Sequence, residues 1–151
     1  MVEPQTVDVP FSYTCENLIW IPRDVLRKEA TEGCSNIMRA YECNGLNRCF
    51  GRRTKPIFSS SWAKEYRGFH FELGYEEKAY ESYLYEREMK EFSSEIAGKD
   101  KFLVIIRFIP SFPYCILRGV VKRSGKRELE CVETLFFNRG ISSSSPRSRP
   151  I

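Results

Sequence analysis

Apolar residues along the chain fall into blocks of different period, and the period sets the element each block predicts. Phe102 to Ile109 is apolar almost throughout, interrupted by Arg107, which predicts a central strand buried on both faces. Phe69, Phe71 and Leu73 alternate with His70 and Glu72, the period-2 pattern of a half-buried strand over Tyr66–Leu73, with Gly74 ending it. Tyr114–Lys122 and Lys126–Phe137 predict two further strands, the first entered through a Pro110/Pro113 corner and the two joined as a hairpin at Ser124-Gly125. Between these strands, Glu76–Ala97 reads as a long helix. It has acids in its first turn, helix formers throughout, Gly98 as a C-cap and an apolar stripe of Tyr85, Met89, Phe92 and Ile96. Tyr80, Tyr83 and Leu84 fall roughly opposite that stripe, so the helix is either packed between layers or offers a tyrosine-rich face to a partner. Upstream, Pro22 suits a first helical position and predicts a short helix to about Thr31, interrupted at Gly33. A second short helix follows from Ser35 as N-cap to Asn44-Gly45, with Ile37, Met38 and Tyr41 at helical spacing. Residues 46–61 carry Gly51, Pro56 and a Ser59-Ser-Ser61 run and read as loop.

This order predicts an α+β fold: about four strands in a mostly antiparallel sheet, with one long helix and short N-terminal helices on one side. At 151 residues the chain suits one domain, expected over 11–139 between a flexible N-terminus (1–10) and a Ser/Arg/Pro-rich flexible tail (140–151). Eleven Phe, eight Tyr and two Trp supply ample material for a core. Phe102–Ile106 is far too short to span a bilayer, and Met1–Asp8 is acidic and polar with no signal-like apolar region. The expected location is therefore cytoplasm or nucleus rather than outside the cell. In that setting the six cysteines, Cys15, Cys34, Cys43, Cys49, Cys115 and Cys131, are expected as reduced thiols. The net charge of +4 is uneven, with basic segments on either side of the acidic 76–95 stretch.

Candidate chemistry narrows quickly. No two cysteines are spaced as a zinc knuckle, so no metal site and no cofactor are expected. His70 is the only histidine, which excludes a two-histidine acid–base mechanism. An enzyme would have to join His70 to one of Cys34, Cys43, Cys49 or Cys115, and no catalytic residues are assigned. His70 and Glu72 are expected to share the polar face of one strand. The loop Arg48-Cys-Phe-Gly-Arg-Arg-Thr-Lys55, followed by Phe58 and Trp62, has the ingredients of nucleic-acid binding. Arg48, Arg52, Arg53 and Lys55 would meet phosphates, and Trp62 would stack on a base.

The sharpest local pattern is Glu128-Leu-Glu-Cys-Val-Glu-Thr-Leu135, which fits Leu-x-Cys-x-Glu with an acidic residue before it and an apolar one after it. It resembles the retinoblastoma-binding motif of small viral regulators such as the nanovirus cell-cycle-link proteins. In an extended chain Leu129, Cys131 and Glu133 point the same way, and the resemblance implies that they dock in a pocket protein with Leu135 beside them. Ile21-Pro-Arg-Asp-Val-Leu26 also resembles the opening of an F-box, a feature that cell-cycle-link proteins combine with the first. The leading expectation is thus a non-enzymatic interaction protein with a protein partner and no membrane. The alternatives are a nucleic-acid binder using residues 48–62, and a small enzyme built on His70 and a cysteine.

Overall fold

A computed structural model of the chain describes residues 6–16, 19–46, 63–96 and 99–134, with the backbone alone at 42–46 and 94–96. The α+β class holds. Among the described residues there are two antiparallel sheets and three helices. A small sheet is formed by β1 (Tyr13–Cys15), β2 (Ile19–Ile21) and β8 (Val132–Glu133), with β1 in the middle. The main sheet runs in the order β3 (Lys64–Glu65), β4 (Tyr83–Glu88), β5 (Lys101–Ile109), β6 (Tyr114–Ser124), β7 (Arg127–Glu130). The helices are α1 (Arg23–Leu46), α2 (Tyr75–Ala79) and α3 (Lys90–Ile96).

The continuously apolar strand is β5, central as expected and almost wholly buried. One of its faces, Phe102, Val104, Ile106 and Phe108, packs with α1 and α3 into the larger core. Its other face, Leu103 and Ile105, joins Val121 of β6 in a smaller cluster under Tyr66, Phe71 and Leu84. The sheet therefore has two buried faces closed by different means: helices on one side, and the irregular segment 66–74 on the other.

Three expectations fail for physical reasons. First, α1 is a single helix of 24 residues rather than two short ones. Gly33 costs about 1 kcal/mol in helix propensity, but it lies on the face toward the sheet. A Cβ there would sit 2.7 Å from Ile106 Cδ1, so the glycine allows a close approach of the helix to β5. Leu26, Ala30, Cys34, Ile37 and Met38 continue the buried stripe on either side of it. Second, the long helix over 76–97 is instead α2, β4 and α3. Residues 83–88 alternate, with Tyr85 and Arg87 toward α1 and Leu84 and Glu86 toward the second face. Pairing with the apolar β5 along six residues outweighs the helix propensity of Glu, Arg and Leu. Third, only Lys64–Glu65 form a strand before α2. Residues 66–74 do not pair as one, and Phe69 is 73% exposed while Phe71 is turned inward. The strand expected over 126–137 also divides, with β7 ending at Glu130 and β8 crossing to pair with β1.

The N-terminal segment is packed further back than residue 11. Val7 and Val9 are fully buried in the larger core, and the Val7 N–H donates to Thr31 Oγ1. The cysteine expectation is overturned among the described residues: Cys15 is bonded to Cys131 and Cys34 to Cys115. Cys43 and Cys49 lie outside the residues whose side chains are described.

Buried polar groups also tie helix to sheet. Arg87 on β4 is 8% exposed and donates from Nε to Glu29 (3.0 Å), from Nη1 to Asn36 (3.0 Å) and from Nη2 to Glu32 (2.7 Å), all on α1. Removing one partner of such a buried pair leaves the other charge uncompensated. Arg87→Ala should therefore lower unfolding free energy in urea by about 3–5 kcal/mol, with much of the loss restored when Glu29→Met accompanies Arg87→Met. A loss below about 1 kcal/mol for the single change would contradict this account of the α1–β4 contact.

Candidate functional site

A dense group of interacting ionisable side chains lies on the second face of the main sheet, under segment 66–74. Register places Arg123 of β6 opposite Glu128 of β7, and Glu86 of β4 reaches the same point across β5. Arg123 Nη1 and Nη2 hold the two Glu86 oxygens at 2.9 and 3.0 Å, while Nη2 and Nε donate to Glu128 Oε1 at 2.7 and 3.2 Å. The other Glu128 oxygen accepts the Tyr66 hydroxyl and faces His70 Nδ1 at 2.9 Å. The Tyr66 oxygen in turn accepts the His70 N–H at 3.0 Å. Two glycines let this loop lie flat. A Cβ at Gly68 would overlap the Glu128 carboxylate and the Tyr66 hydroxyl, and one at Gly119 would overlap the Phe71 ring.

The electrostatics show what the cluster can do. Burial alone would raise the Glu128 carboxyl, but hydrogen bonds from Tyr66, Arg123 and His70 outweigh it and hold its pKa at about 2. Burial, reinforced by Glu128, pushes the Tyr66 hydroxyl up to about 12. The Arg123 guanidinium is raised too, chiefly by its hydrogen bonds to Glu86. An ionised carboxylate only accepts, so His70 Nδ1 carries the proton and points it at Glu128. Two groups that an acid–base mechanism would recruit here, Glu128 and Tyr66, are thus held far from neutrality, and the guanidinium is committed to two carboxylates. The arrangement is a clasp holding the 66–74 loop on the sheet. Beyond Phe71, Arg107 and Arg118 converge on Glu77 of α2 at 3.7 and 3.1 Å, which closes the same face at its other end.

Comparison with protein-family models, curated proteins and solved structures returned no match.

The residues singled out from the sequence are distributed differently. His70 does not share a face with Glu72, which is exposed, and turns instead to Glu128. It meets none of Cys15, Cys34, Cys115 or Cys131 as a thiol, because all four are in disulfides. Among the described residues no group of three or more His, Cys, Asp or Glu could hold a metal ion. Leu129, Cys131 and Glu133 do not form one accessible strip. Leu129 pairs with Lys122 in the main sheet, Cys131 is 3% exposed and bonded to Cys15, and Glu133 pairs with Tyr13 in the small sheet. Docking this segment in a groove would require the disulfide and the β1–β8 pairing to open. Ile21 and Leu26 of the F-box-like stretch are fully buried. Leu135 and the nucleic-acid candidates Arg48, Arg52, Arg53, Lys55 and Trp62 lie outside the described residues. Sequence reasoning missed the clasp because its members are spread over 62 residues of chain, from Tyr66 to Glu128. The one local signal was Glu128 opposite Arg123 across the Ser124-Gly125 turn.

The clasp carries a pH signature. Glu128 titrates near 4.5 when unconstrained and at about 2 in the fold, so its stabilisation is complete above pH 4.5 and is lost as pH falls toward 2. Tyr66 and Phe71 ring resonances should stay native-like down to that window and shift together within it. In Glu128→Gln the same resonances should be displaced already at pH 7. Loss of the native signals above pH 5 in the wild type would contradict the clasp.

Proposed function

We propose that this chain is a non-enzymatic binding protein whose contact surface is a band of exposed aromatic side chains. The observation that carries this reading is the continuity of that band. Tyr80 and Phe112 lie 6.4 Å apart between ring centroids and are 59% and 64% exposed. Tyr114, 44% exposed, follows two residues after Phe112 and shares the wall of one cavity with Phe11, 39% exposed. Isolated apolar side chains at a surface need no explanation, whereas a run of large neighbouring rings is the composition of an interface core. Burying a single such side chain is worth about 1.5–3 kcal/mol. The carriers are rigid: Phe112 and Tyr114 stand at the turn joining the two longest strands, and Tyr114 precedes the disulfide-bonded Cys115.

A protein partner is favoured over nucleic acid by the charges near the band. Arg107 and Arg118 are paired with Glu77, and Asp8 and Glu133 bring negative charge to the other end. The pocket-protein reading of Leu129, Cys131 and Glu133 draws no support from the oxidised fold. Compartment follows the same logic. No described helix is long and apolar enough to cross a membrane, and two disulfides suit an oxidising compartment better than cytoplasm or nucleus.

A photo-crosslinking residue at Phe112 or Tyr80 should give a discrete adduct in the native host, and one at the exposed Arg127 on the far side of the sheet order should give none. The adduct should be sensitive to protease and resistant to nuclease. No adduct from either band position, or equal labelling from Arg127, would overturn the proposal, and a nuclease-sensitive adduct would replace the protein partner with nucleic acid.

A further inference from the structure

One cavity of about 360 Å³ opens beside the band, between the segment before β1 and the start of β6. Its aromatic lining residues are Phe11, Tyr13 and Tyr114, and its acidic lining residues are Asp8 and Glu133. Among the described residues no lysine or arginine lines it. Neither carboxylate forms a salt bridge or side-chain hydrogen bond among the described residues, in contrast to Glu77, Glu86 and Glu128 on the opposite face of the sheet. Glu133 is fixed next to an aromatic wall by the β1–β8 register, which sets it directly opposite Tyr13. Burial first, then Glu133 and Glu130, raises the Tyr13 hydroxyl to about 12, so that wall stays uncharged at neutral pH while its surroundings are negative.

Aromatic faces present the negative side of their quadrupole, and a cation placed over them is attracted without forming a hydrogen bond. Three rings with two uncompensated carboxylates, and no competing cation among the described residues, make a site that selects positive charge and also accepts apolar substituents on it. The volume falls within the range of small-molecule sites and exceeds what an ammonium group needs. We propose that this cavity binds an organic cation, the alkylammonium end of a lysine side chain, free or N-methylated, presented by the partner of the aromatic band. Presentation by a partner rests on the function proposed above; the preference of the cavity for a cation stands on its own lining.

The full chain can be titrated with choline, with n-butylammonium and with 3,3-dimethylbutan-1-ol, the uncharged isostere of choline, while the ring resonances of Phe11, Tyr13 and Tyr114 are followed. At least one ammonium should shift these rings saturably, and the alcohol should bind about ten-fold or more weakly. Preference for choline would assign methylated lysine, and preference for n-butylammonium would assign the free side chain. Glu133→Gln and Tyr114→Ala should each weaken ammonium binding about ten-fold with the melting temperature unchanged, since neither residue is in the buried core. No saturable shift with either ammonium at tens of millimolar, or equal binding of the alcohol, would overturn the cation site. Cation binding together with failed cross-linking from the band would overturn only the partner that presents it.

Discussion

Cys34–Cys115 joins the middle of α1 to the start of β6, and Cys15–Cys131 joins β1 to the end of β7, so both ends of the packed chain and the main helix are referred to one sheet. The cross-links bridge sequence separations of 116 and 81 residues. In the chain-entropy account each removes about 4–5 kcal/mol of unfolded-state freedom. Their placement also defines the surface proposed to bind. Cys115 follows Tyr114, and Cys15 and Cys131 sit at the edge of the β1–β8 pairing that brings Tyr13 opposite Glu133. The Cα atoms of Cys15 and Cys131 are 4.4 Å apart, the spacing of a close antiparallel pair, so the bond continues the ladder rather than distorting it. A band of exposed rings binds only if the rings stay put, and here the covalent framework holds them.

The two faces of the main sheet solve one problem differently. Toward α1 the sheet buries apolar side chains and the charged Arg87, which the helix surrounds with acceptors. On the other face no long helix is at hand among the described residues, and a loop does the covering. The loop packs Tyr66 and Phe71 on the sheet and is also held by charge: Arg123 bridges two carboxylates, and Glu128 fixes Tyr66 and His70. This resembles an active site in composition, with a histidine, a tyrosine, an arginine and two glutamates. Each of these groups has a partner within the cluster. Strong perturbation of titrating groups marks catalytic sites and structural ion-pair networks alike.

How much of this was legible in the sequence depended on whether a signal was local. The β5 strand, the β6–β7 hairpin about Gly125 and the start of α1 after Pro22 follow from runs, turn residues and caps, and they appear where expected. Residues 76–97 misled because Glu, Lys and Met favour helices in isolation, while the decisive partner of 83–88, the β5 strand, lies some twenty residues away. Phe69, Phe71 and Leu73 have strand period, yet Phe71 is held by the space over Gly119, 48 residues downstream, and period alone cannot show that. The cysteines carried no local pairing signal, since partners 81 and 116 residues apart meet only through the complete fold. For the same reason Leu129, Cys131 and Glu133 read as a linear motif, although strand pairing sends them to two sheets. The tyrosine-rich face expected on a long helix from Tyr80, Tyr83 and Leu84 does not form, since these residues lie on and before β4, and the proximity of Tyr80 to Phe112 required the strand order.

The account stands most directly on the covalent framework, and peptide mapping of the purified, alkylated chain under non-reducing conditions reads it. The predicted result is one cross-linked peptide pair containing Cys15 and Cys131 and another containing Cys34 and Cys115, with none of these four cysteines alkylated. Alkylation of all four would contradict the account: it would restore the reducing compartment read from the sequence and leave Cys131 free within its Leu-x-Cys-x-Glu segment.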